Sequence, residues 1–141
     1  MPNMQCQCGL PMNLMLRTVV FAKKVTVHCV PVFSCNECHH SQIHQDVKQH
    51  LSTVMKQFST KLTKQTIYFQ DINELAKLLF RASDPEFDNN TVNEMIHLRI
   101  NELNDLLLLA ESIHDTEWVD ELHDRLDQIS DYSKLLHQWY H

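Results

Sequence analysis

The sequence predicts an α+β fold: a small β head followed by an all-α region of about four helices. Three observations carry that expectation. Residues 14–33 hold two runs of β-branched and large apolar residues with a polar turn between them. From residue 46 onward, the apolar residues fall at helical spacing. The charge also changes sign along the chain. Residues 1–70 carry seven basic and two acidic residues, a net of +5, whereas residues 71–141 carry five basic and 16 acidic, a net of −11. The expected organisation is therefore a head at 1–45 and an acidic helical domain at 46–141.

Leu14 to Ala22 (LMLRTVVFA) reads as the first strand, with Lys23-Lys24 as its turn. Lys24 to Phe33 reads as the second, with Val25, Val27 and Cys29 alternating against Thr26 and His28. Pro31 confines that strand to an edge or ends it. Asp46 to Lys64 is an amphipathic helix carrying Val47, Leu51, Val54, Met55, Phe58 and Leu62. Thr66 to Gln70 is a short extended connector. Asp71, with Glu74 three residues on, is the cap of a second helix that Ser83-Asp84-Pro85 stops. Phe87 to Asn90 is a loop. Thr91 and Glu94 form a capping box for a long helix running to about Ile113. His114-Asp115-Thr116 breaks it, and Asp115 or Thr116 caps a last helix with Trp118, Val119, Leu122, Leu126 and Ile129.

Composition excludes several functions. One glycine in 141 residues leaves no room for a glycine-rich phosphate cradle. No stretch approaches 18 consecutive apolar residues, so no membrane-spanning helix is expected. Met1 to Leu10 lacks a charged segment followed by an apolar one, so a cytoplasmic protein is expected. Five cysteines in a reducing compartment read as metal ligands or free thiols.

Four of those cysteines fall in two close pairs, Cys6-x-Cys8-Gly9 and Cys35-x-x-Cys38, separated by the hairpin. Zn²⁺ takes four soft or borderline ligands in a tetrahedron, and two short loops giving two thiolates each meet that need. A two-stranded hairpin is marginal alone in water, and a structural zinc at its open end clamps it. Gly9 directly follows Cys8, where a left-handed residue turns backbone N–H groups toward sulfur; His39 holds the same place after Cys38. Cys29 reads as a strand residue. His28, His39, His40 and His44 are alternative ligands.

With these residues the head resembles the YgiT-type zinc-finger domain, the metal-binding half of MqsA-like antitoxins. The match is Cys6-Gln7-Cys8-Gly9, a hairpin, then Pro31, Cys35 and Cys38 in the family's register, over about residues 4 to 45. The family has CxxC where this chain has CxC, and usually glycine where this chain has His39. The resemblance implies a structural zinc on Cys6, Cys8, Cys35 and Cys38 in a small cytoplasmic protein. The antitoxins continue into a DNA-binding helix-turn-helix. Here the second half is acidic, and phosphate contact needs Lys and Arg on the reading helix.

The helical half instead carries Leu106, Leu107, Leu108 and Leu109 in a row, apolar almost all round the helix. That predicts either the centre of a bundle or a homodimer interface. Trp118 is expected as a core anchor and Trp139 as a docked or partner-binding aromatic. The acids between Glu111 and Asp131 read as a solvated face. Four cysteine ligands leave no open metal position, so no enzyme is expected. The expected function is regulatory or adaptor, acting through an unidentified protein partner of the helical half. The competing expectation is a nucleic-acid-binding regulator using Arg17, Lys23 and Lys24 on the basic head.

Overall fold

Two strands, β1 (Asn13–Phe21) and β2 (Val25–Ser34), pair antiparallel from Asn13 opposite Ser34 to Phe21 opposite Val25. This computed structural model describes residues 6–10, 12–61, 63–84 and 91–139. The architecture is α+β, with the sheet first and the helices following. The chain divides into two compact units, Met1–Ile72 and Asn73–His141. The expected boundary at 45/46 falls inside the first unit. Contacts instead group the first helix with the sheet, because that helix packs against β2.

The hairpin turns without glycine. Ala22 and Lys23 sit at φ +52° and +59°, and the Lys24 N–H donates to the Phe21 carbonyl over 3.0 Å. Two consecutive left-handed residues give the turn whose twist matches the strands, here at a steric cost that Asn-Gly would avoid. The alternation read through Cys29 ends earlier. Val27 faces Val19 and Val30 faces Arg17, so His28 and Cys29 together oppose Thr18. Cys29 takes φ +64° in this bulge and is half-buried.

β2 is the central strand, contrary to the edge position that Pro31 suggested. A two-residue strand, β3 (Ser41–Gln42), pairs antiparallel with Phe33 and Ser34. The expected connector contributes β4 (Gln65–Tyr68), which pairs parallel with Val25 to His28. Pro31 falls between these two pairings, on a stretch of β2 where the second edge carries no ladder. The crossover that parallel pairing requires is supplied by α1 (Gln45–Ser59), which buries Val47, Leu51 and Val54. This helix ends before the expected Lys64, and Leu62 lies outside the described residues.

Among the described residues the second unit holds three helices, α2 (Glu74–Ala82), α3 (Val92–Ser112) and α4 (Thr116–Trp139). The cap of α2 is Asn73, not Asp71: its side chain accepts from the Ala76 N–H at 3.0 Å, and Phe69–Asp71 forms a single 3-10 turn. Thr91 caps α3, accepting from the Glu94 N–H at 3.1 Å. The α3–α4 break is a Schellman motif built on His114 at φ +57°. The Asp115 N–H reaches the Ala110 carbonyl and the His114 N–H the Glu111 carbonyl. Asp115 then caps α4, accepting from the Trp118 N–H at 3.1 Å. The expected loop at Phe87 to Asn90 lies outside the described residues. No helix here is long and apolar enough to cross a membrane, among the described residues.

Two expectations for this unit fail. The leucine run is not the centre of a bundle. Leu108 is 67 % exposed and Leu109 50 %, with Leu106 also exposed, while Leu103 and Ala110 are the buried residues of that stretch. With α2 and α4 as its helical neighbours among the described residues of this unit, α3 keeps one side open. Trp118 is only half-buried, because it stands in the first turn of α4 rather than along its packed face. The side chain of Trp139 lies outside the described residues.

Glu74 was expected to serve only a cap. It is fully buried, and its carboxylate is held bidentately by Arg99 (Nε to Oε1 at 2.6 Å, Nη2 to Oε2 at 3.0 Å) and by Arg125 Nη1 at 2.9 Å. Its own N–H donates to Gln128 Oε1. Glu102 extends the network, accepting from Arg81 at 2.6 Å and Arg99 at 3.2 Å. One carboxylate thus joins α2, α3 and α4. Burial pushes the Glu74 carboxyl up, but the bonds and charge of Arg99, then of Arg125, overcome it, and the net shift is downward. Glu102 shifts down too: its burial is outweighed by Arg81 and Arg99.

Removing this charge deprives the buried Arg99 of its bidentate partner and the half-buried Arg125 of its 2.9 Å carboxylate contact. Glu74→Gln is therefore expected to cost about 3 kcal/mol or more in denaturant titration, with little dependence on salt. Both carboxyls have folded pKa values below their unfolded ones. Their stabilisation is complete above about pH 4.3 and is lost as pH falls below that through the folded values. A pH series of melts checks the sign: the wild type should lose more stability than Glu74→Gln on acidification.

Candidate metal centre

The hairpin brings both cysteine pairs to one end of the sheet. Asn13 lies opposite Ser34, so the segment before β1 and the segment after β2 leave the ladder side by side. Each carries a pair. The Sγ atoms of Cys6, Cys8, Cys35 and Cys38 all lie within 4.8 Å of one another. Cys6 and Cys38 are 2.9 Å apart, and Cys8 and Cys35 are 3.6 Å apart. Four thiolates on a tetrahedral ion with metal–sulfur bonds near 2.3 Å stand about 3.7 Å from one another. The cluster is thus the size of a single-ion site, and its donor set is complete without a fifth residue.

Both loops close in the same way. In the first, the Cys6 N–H donates to the Leu10 carbonyl and the Gly9 N–H to the Cys6 carbonyl, each at 2.9 Å. In the second, the Cys35 N–H donates to the His40 carbonyl at 2.9 Å and the His39 N–H to the Cys35 carbonyl at 3.0 Å. Each bond spans one residue less in the first loop. That is the difference between CxC and CxxC, so the shorter spacing still closes a knuckle. The first cysteine of each pair is buried and the second exposed. Gly9 has φ +92° and His39 φ +59°, the left-handed positions expected after Cys8 and Cys38.

The thiols feel each other and the loops. The neighbouring Cys38 thiol pushes the Cys6 pKa up to about 12. The backbone N–H of Cys38, aided by that of Glu37 against burial, brings Cys35 down to about 7. Amides aimed at sulfur favour the thiolate, the form that binds metal.

Two of the alternative ligands, His28 and His44, are engaged elsewhere. Among the described residues no histidine belongs to the cluster. His28 shares a hydrogen bond with Thr18 and stacks on Tyr68, and His44 accepts from the Asp46 N–H at the start of α1. Cys29 stays in its bulge, its thiol pKa raised by burial and by the charge of Asp71. The basic trio separates: Arg17 lies mid-strand opposite Val30, whereas Lys23 and Lys24 sit at the hairpin turn.

A side chain at Gly9 would meet nothing within 4 Å, so its substitution cost is conformational alone. Gly9→Ala should cost about 1–2 kcal/mol, and His39→Gly should gain about 0.5–1 kcal/mol. Thermal melts of the metal-loaded protein check both, as shifts of opposite sign. Comparison with family models, with curated proteins and with solved structures finds no match for this chain.

Proposed function

We propose that Cys6, Cys8, Cys35 and Cys38 hold a structural zinc ion that completes a zinc ribbon, and that the protein is a small cytoplasmic regulator or adaptor acting through a protein partner. A four-thiolate set suits zinc and leaves no position for substrate, which favours a structural role over catalysis. The resemblance to the YgiT-type zinc-finger domain supports the same role for the head and makes an antitoxin-like activity the nearest model.

One observation carries the partner. Leu98, Leu106 and Leu109 of α3 and its C-cap residue Ile113 are all exposed, and steps of eight, three and four residues keep them on one stripe about 80° wide, interrupted only by half-buried Glu102, which pairs with Arg81 and Arg99. Glu94 and Asp105 are exposed alongside it. An apolar stripe with an acidic border fits a partner face that is apolar and basic. A homodimer through the same stripe is the competing arrangement. It is disfavoured by charge, because residues 71–141 carry −11 in each copy.

Leu109→Glu and Ile113→Glu change exposed positions and leave the core untouched. Affinity capture of the tagged, zinc-loaded chain from its source cell, followed by size measurement of the complex, tests the reading. The wild type should retain a partner that the double variant loses, with unchanged helicity. A partner set that survives the double variant contradicts the stripe. A pure dimer of this chain contradicts the heteromeric assignment.

A further inference from the structure

The sheet has a second surface of interest beside α1. Paired residues on neighbouring strands share a face. Arg17 opposite Val30 and Met15 opposite Val32 therefore place Arg17 and Val32 on one side, and Ser41 opposite Ser34 joins them. An open groove of about 880 Å³ runs over this face, lined by Arg17, Val32, His40, Ser41, Gln45 and Lys48. That volume lies in the range of ligand sites. Gln45 and Lys48 come from the first turn of α1, where the helix dipole adds positive potential.

The groove contains cations without anions. Neither Arg17 nor Lys48 forms an ion pair among the described residues. The two acidic residues within positions 1–70, Glu37 and Asp46, do not line it, and Asp46 lies 3.9 Å from His44. Arg17 and Lys48 thus supply charge, and Ser41 and Gln45 supply hydrogen-bond donors, to a ligand rich in negative oxygen atoms.

We propose that this groove binds the phosphate backbone of a single-stranded nucleic acid. The residues that line it match phosphate chemistry: a guanidinium fork, an ammonium, a hydroxyl and an amide. Five further lysines, Lys23, Lys24, Lys56, Lys61 and Lys64, give the unit a field suited to a ligand that repeats its charge. An open site on a sheet surface, lined by one guanidinium and one ammonium, is of a size to follow a single strand. The inference is independent of the leucine stripe on α3.

Fluorescence anisotropy of a labelled oligothymidylate of about twelve nucleotides, titrated with the full zinc-loaded chain between about 50 and 200 mM salt, tests it. Wild type should bind with an affinity that falls steeply with salt. Arg17→Ala with Lys48→Ala should weaken binding at least tenfold at the lower salt. It should also reduce the slope of log affinity against log salt by about 1.4, two contacts at ~0.7 each. Gln45→Glu, an exposed change that favours the helix start, should weaken binding at least threefold without disturbing the fold. No binding by wild type, or unchanged affinity in both variants, overturns the proposal. A mononucleotide binding as tightly as the strand overturns the polynucleotide assignment. A polyglutamate peptide competing on equal terms reassigns the groove to carboxylates and overturns it as well.

Discussion

The first unit depends on the meeting of two cysteine turns at the open end of one hairpin. Four thiols packed within 4.8 Å of one another gain little from each other as thiols. They become a strong restraint when a single cation takes all four, because the loops on either side of the hairpin can then no longer part. Strand β2 runs from that point past α1 and beside β4, so a metal held there would fix one end of the strand that both pack on. The hairpin turn, built from two left-handed residues without glycine, contributes strain rather than anchorage. The proposed zinc supplies the anchorage.

The second unit solves the same problem of size by another route. Its helices are tied by a carboxylate, with Glu74 on α2 held by arginines from α3 and α4. Such a network specifies which helix faces meet, and its geometry satisfies both carboxylate oxygens. It leaves the leucine run outside. The exposed stripe on α3 is then what a partner would find, next to a strongly acidic surface.

What was legible in the sequence follows from the range of the signal. The hairpin, the cysteine pairs, the left-handed positions after Cys8 and Cys38, the Thr91 cap and the Asp115 break are all local, decided by residues within a few positions of one another. What was not legible depends on distant partners. Nothing near Thr66 says that residues 65–68 will pair with β2, and nothing near Glu74 announces Arg125. The four leucines misled for the same reason: periodicity reports that a helix is apolar all round, not how many neighbours the fold provides to cover it. Cys29 misled because a bulge shifts alternation by one residue, which the partner strand decides.

X-ray absorption at the metal edge of protein expressed with zinc in the medium examines the anchoring site itself. One zinc per chain, surrounded by four sulfurs at about 2.3 Å and no nitrogen or oxygen neighbour, is the result expected. A first shell containing nitrogen, or protein that carries no metal and keeps all five thiols reactive in its folded state, would contradict the account.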